Sequence, residues 1–100
     1  MRPARFVAAA RREFLSEVIY YNKESPGLGR RFAAAVEEAT ARALAFPLAG
    51  SPAPKNTRRV LLKDFPFSVV YRTAGDGIII FALAHHSRVP GYWQSWVQDR

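Results

Sequence analysis

RRVLLKDFPFSVVYRTAGDGIIIFALAHH, residues 58–86, decides how this chain folds. RRVLLK (58–63) and FPFSVVYR (65–72) are rich in the β-branched and aromatic residues that suit a pleated surface, with little more than Asp64 between them. TAGDG (73–77) is a hairpin turn of the glycine-containing kind. GIIIFALAHH (77–86) is apolar enough for a central strand. Short turns between successive strands force antiparallel neighbours, so this half of the chain predicts an antiparallel sheet.

The residues before it change period. PARFVA (3–8) predicts a short first strand, and Phe14, Val18 and Tyr21 then recur at helical spacing, flanked by Leu15 and Ile19, over a helix from Ala9 to Lys23. Ser25 and Pro26 predict the N-cap and first position of a second helix. Its stripe is Leu28, Phe32, Val36, Ala39, Ala43 and Phe46, with Glu38 and Arg42 four apart on the polar side and Pro47 as terminator. So few residues join the helices that they must pack as an antiparallel hairpin. PLAGSPAPKNT (47–57) is the one clear loop. The expected fold is α+β in the order β-α-α-β-β-β. It has an antiparallel sheet of about four strands, the helical hairpin on one face, and a short C-terminal tail or helix.

One hundred residues that are 49% hydrophobic suit a single domain spanning 1–100. Without cysteine, disulfides, thiolate nucleophiles and thiolate metal sites are excluded together. FVAAA is too short for a secretory core and IIIFALA too short to cross a bilayer, so a soluble, cytoplasmic protein without a membrane partner is expected. The net charge of +7 points to an acidic partner. Residues 1–50 hold eight basic and five acidic groups, and residues 51–100 seven and three, which favours a patch built by folding over a basic arm.

HHSRVPGYW (85–93) gathers the residues with chemical potential. Strict alternation sends Ile79, Phe81, Leu83 and His85 toward the helices and Ile80, Ala82, Ala84 and His86 toward the open face. Arg88, Arg59, Lys63, Ser68 and Arg72 join His86 there by the same logic. His86 carries an imidazole, the side-chain type best suited to serve as acid or base. His85 is expected to cap the edge of the core. Tyr92, Trp93 and Trp96 form a short aromatic segment after Pro90-Gly91, suited either to packing or to gripping a partner. Two adjacent histidines without carboxylates make a poor metal site, and no phosphate-cradling glycine loop is present, so neither metal nor cofactor is expected.

REFL…YYNKESPGLGRRF, the FP pair at 46–47, RRVLLKDFPFSVVYR and HHSRVPGYW, in this order and spacing, resemble the RelE/ParE superfamily of toxins from bacterial type II toxin–antitoxin modules. The resemblance covers nearly the whole chain. It implies the fold just described and a toxin held inactive by a cognate antitoxin. Relatives of the RelE kind cut messenger RNA on the ribosome. Those of the ParE kind, associated with plasmid stabilisation, bind DNA gyrase and have no accepted catalytic residue. Where the nucleases carry a phosphate-handling arginine this chain has Ser68, where they carry a lysine it has Leu61, and where they carry a second arginine it has His86. Arg59 and Tyr92 match. Cleaving RNA depends on stabilising charge that builds on phosphate, so losing three cations costs orders of magnitude in rate.

The resemblance therefore implies a ParE-like toxin that acts by binding, with Arg59, Arg72, His86, Arg88, Tyr92 and Trp93 as target-binding residues and DNA gyrase as target. The antitoxin, small and acidic over its binding segment, would dock near the hairpin turn on Tyr20, Tyr21 and Leu28. Two alternatives stand beside it. One is a ribosome-dependent messenger RNA endonuclease using His86, Arg59, Arg88 and Tyr92, and the other is an inactive antitoxin-binding remnant.

Overall fold

A computed structural model describes residues 3–97. The elements are β1 (Ala4–Phe6), α1 (Ala8–Glu24), α2 (Leu28–Ala45), β2 (Ser51–Ala53), β3 (Thr57–Leu61), β4 (Phe67–Ala74), β5 (Gly77–His85) and a terminal 3-10 turn at Gln94–Trp96. The α+β class and the helical hairpin on one face of the sheet are as the sequence predicts. The sheet has five strands in the order β1-β5-β4-β3-β2, and it is mixed, not wholly antiparallel. β1 runs parallel to β5, pairing Ala4 with Ile78 and Phe6 with Ile80. The helical hairpin intervenes between β1 and the other strands, which frees β1 from the turn geometry that makes them antiparallel. The extra strand, β2, lies inside the proline-rich loop at the far edge, opposite Thr57 to Arg59, and an edge is where a strand tolerates proline. Among the described residues no helix is long and apolar enough to cross a membrane.

The joint between the helices differs from the expected Ser25-Pro26 start. Helix α2 begins at Leu28, after Gly27 has turned the chain with a left-handed φ of 87°. The cap comes from the other helix: Asn22 Oδ1 accepts the Gly29 N–H at 2.8 Å. Here the helices touch most closely. A Cβ on residue 29 would lie 2.5 Å from the Val18 carbonyl oxygen, so only glycine fits.

Of the predicted α2 stripe, Phe32, Val36, Ala39 and Ala43 are buried, whereas Phe46 caps the helix end and stays exposed. Phe14, Val18 and Tyr21 of α1 pack against the core, but Leu15 and Ile19 remain in solvent, 45% and 57% exposed. They lie about 100° around the helix from Phe14 and Val18, beyond the reach of the sheet. Phe32 sits at the centre of a ring cluster with Phe14, Tyr21, Phe65 and Phe67, at centroid distances of 5.1 to 6.2 Å. Arg42 pairs with Glu38 at 2.7 Å as its spacing predicts, and also donates to the Leu61 carbonyl at the end of β3.

A β-bulge corrects the predicted faces of the last strand. Tyr71 pairs with Ile80 and Val70 with Ala82, leaving Phe81 as an extra residue. One extra residue reverses the alternation on one side of it. Beyond the bulge Leu83 faces the helices and Ala84 the other side, as predicted. Before it the assignment is inverted: Ile80 is core, and Ile79 and Phe81 belong to the second face. That second face is not open along its whole length. Trp93 and Val97 of the C-terminal segment fold over Val70, Phe81 and Ala82 as a small second core.

Candidate functional site

The C-terminal segment covers only the middle of the second face, and beside it a cleft of about 380 Å³ remains. Arg59 of β3 pairs with Val70 of β4, which pairs with Ala82 of β5, so the Arg59 side chain rises on this face. Ser68 lies two residues from Val70 on the same strand and is 2% exposed. His86 follows β5 directly, and its Nε2 lies 3.1 Å from Ser68 Oγ. The chain then turns so that Arg88 and the aromatic tail form the opposite wall.

Five of the six residues predicted to bind a target thus meet in one cleft: Arg59, His86, Arg88, Tyr92 and Trp93. Arg72 does not. Its guanidinium sits over the Phe81 ring, 5.6 Å from the centroid, and donates to the carbonyls of Lys55 and Asn56. Lys63, also expected on this face, lies past the end of β3, where its charge acts on Glu38. Trp93 is 4% exposed, so most of its ring is core and only an edge reaches the cleft.

The two histidines have different duties. His85 packs edge-on against Phe67 with centroids 4.9 Å apart, the core-capping position expected of it. Its Nδ1 accepts from the Ser87 N–H at 3.0 Å, which leaves the ring proton on Nε2 when the imidazole is neutral. His86 is the exposed one.

Tyr92 is anchored by a residue that the sequence reading did not single out. Its hydroxyl donates to Glu13 Oε2, while Glu13 Oε1 accepts the Leu83 N–H at 2.8 Å. Leu83 lies on the β5 edge beyond the last residue that β1 pairs, so this carboxylate satisfies backbone that no strand reaches. Burial raises the Glu13 carboxyl above its ordinary value of 4.5, partly offset by the Tyr92 and Leu83 hydrogen bonds and by Arg88. Burial, reinforced by Glu13, pushes the Tyr92 hydroxyl far above the ordinary phenol range. Arg88 stacks on the Tyr92 ring, 3.8 Å from its centroid. The signal for Glu13 was present: positions 10, 13, 14, 17, 18 and 21 form one helix face, and a carboxylate inside such a stripe needs a partner.

The predicted antitoxin-docking residues separate. Tyr21 belongs to the ring cluster under the hairpin, and Leu28 is half-buried at the start of α2. Tyr20 is 52% exposed and meets Tyr21 edge-on at 5.3 Å. The solvent-facing apolar residues of α1 are therefore Leu15, Ile19 and Tyr20. Among the described residues no three metal-ligating side chains come together.

Comparison with known proteins agrees with this architecture. One solved structure, described as the chromosomal ParDE TA system from P. aeruginosa, superposes with a TM-score of 0.70 at 18% sequence identity, covering 85% of this chain and 96% of that one. At that identity the likeness concerns the fold. No curated protein sequence matches. Residues 5–90 match the family described as ParE toxin of type II toxin-antitoxin system, parDE, and the chain belongs to that family.

Proposed function

We propose that this chain, a type II toxin by family, is a cytoplasmic poison that acts by binding and not by cutting, with DNA gyrase as its target. The observation carrying this reading is the occupation of the cleft's proton-handling groups. The Tyr92 hydroxyl is committed to Glu13 and its proton is held tightly, which unsuits it as an acid near neutral pH. Ser68 stands where a phosphate-handling cation is needed, and it is buried beside His86. What remains accessible is Arg59, His86 and Arg88, the last laid over the Tyr92 ring, a cationic rim suited to gripping a surface.

The neutralising antitoxin is a small protein with an acidic segment. Tyr20, with Leu15 and Ile19 beside it on α1, offers apolar anchors among the arginines Arg11 and Arg12. Purified protein tested in a gyrase supercoiling assay and an in vitro translation assay separates the readings. Arrested supercoiling or trapped broken DNA with intact transcripts supports the proposal. Transcripts cut on ribosomes, with cutting abolished by His86→Ala, overturn it in favour of a nuclease.

A further inference from the structure

The helices mix both signs of charge, with six cations against five carboxylates, and the strands carry one sign alone. Glu13, Glu17, Glu24, Glu37 and Glu38 all lie on the two helices, whereas the five strands contain Arg5, Arg58, Arg59 and Arg72 and no carboxylate. Three of those four arginines share the face away from the helices. Arg5 and Arg72 both pair with Ile79, from opposite sides, so Arg5, Ile79 and Arg72 form one cross-strand row. They line a second cleft of about 520 Å³, floored by Ile79 and Phe81. On the other side of the C-terminal segment, Arg59, His86 and Arg88 line the first cleft. Among the described residues neither cleft has an aspartate or glutamate in its wall.

We infer that this face binds the phosphate backbone of duplex DNA directly, without gyrase as intermediary. The cations are spread over the face and do not converge on one point. Arg5 and Arg72 lie two strand spacings apart, roughly 10 Å, and Arg59 sits beside Val70, two residues along β4 from Arg72. Such a spread suits the closely repeated charges of a duplex backbone, one for about every 1.7 Å of axis. Two of the cations are already held in place, Arg72 over Phe81 by two loop carbonyls and Arg88 over Tyr92. Little side-chain freedom remains to be lost on binding.

The rings argue against a single strand. Unpaired bases need exposed aromatic faces to stack on. Here Phe81 and Trp93 are 2% and 4% exposed, and Arg88 covers the Tyr92 ring. Backbone phosphates need no exposed ring.

The test is fluorescence anisotropy of a short labelled DNA duplex against the purified chain over a series of salt concentrations. Binding should weaken with salt at a log–log slope of about −3 to −4, near 0.9 for each of the phosphates met by Arg5, Arg59, Arg72 and Arg88. The double variant Arg5→Glu/Arg59→Glu should bind at least about tenfold more weakly and flatten the slope by about 2. Arg30→Glu/Arg31→Glu makes the same charge change on exposed positions of α2 and should stay within about threefold of the parent. If thermal melts show the first pair unfolded, Arg5→Gln/Arg59→Gln replaces it, with the same change of slope expected. The inference is overturned by absent binding at about 50 mM salt or a flat salt dependence. Equal weakening by both charge-reversal pairs, or tighter binding to a single-stranded RNA of equal length, overturns it too. Supercoiling activity is measured separately, so either proposal can fail alone.

Discussion

The two faces of the sheet are built from the same strands and covered in opposite ways. Toward the helices, Phe67, Val69, Tyr71, Ile80 and Leu83 meet Phe32, Val36 and Ala39 in one continuous apolar layer. On the other side, the short segment around Trp93 and Val97 covers Val70, Phe81 and Ala82, and cationic clefts flank it. The contrast shows how 100 residues divide their labour. One side buries enough area to hold the fold, so the other is free to keep charge in solvent.

The contrast breaks first at Phe32. Phe32→Ala should cost about 3–5 kcal/mol of unfolding free energy in urea melts, because it empties the centre of the ring cluster. Trp93→Ala should cost less, about 2–3 kcal/mol, since a terminal segment can relax by detaching locally. Equal losses for the two would show that both covers carry the fold alike. Gly29→Ala sharpens the picture on the helical side. Its methyl group would press on the Val18 carbonyl, and a loss of about 1–3 kcal/mol is expected in the same melts.

Glu13→Gln tests the fastening between α1 and the C-terminal segment. Burial raises the folded-state value of Glu13 above 4.5, so the native state binds this proton more readily than the unfolded chain does. Its contribution is complete below the unfolded value and is lost as pH rises through the folded one. Stability of the parent should therefore decline from about pH 4.5 toward neutrality by a component that the glutamine variant lacks, and an unchanged pH slope would refute it. The smallest stability effect is expected at Arg59. Arg59→Ala should leave the melting curve within about 0.5 kcal/mol while weakening action on the target.

What was legible in the sequence was local. Helical spacing at Phe14, Val18 and Tyr21, and again from Phe32 to Ala43, located the hairpin, and Gly75 with its φ of 61° marked the last turn. What escaped depends on residues far apart. β1 finds its parallel partner across the chain, β2 exists only because β3 offers it an edge, and the Asn22 cap of α2 is supplied across the helix pair. The bulge at Phe81 was invisible to strict alternation, which inverted one half of β5. The cleft residues fared better, because Arg59 and His86 lie on the sides of the bulge where alternation still holds. Arg72 lies on the face that alternation assigns to it, in the second cleft.

The parallel pairing of β1 carries a consequence for synthesis. Ala4 cannot meet Ile78 until nearly four-fifths of the chain has left the ribosome, and closing so long a loop is costly until the strands between are in place. A polypeptide interrupted before Gly77 lacks β5, the strand that joins β1 to the rest, and it has no His86, Arg88 or Tyr92. Partial products should thus be harmless, and injury to the host should begin only with a finished molecule. Stalled nascent chains of increasing length, probed by limited proteolysis, should become resistant in a single late step.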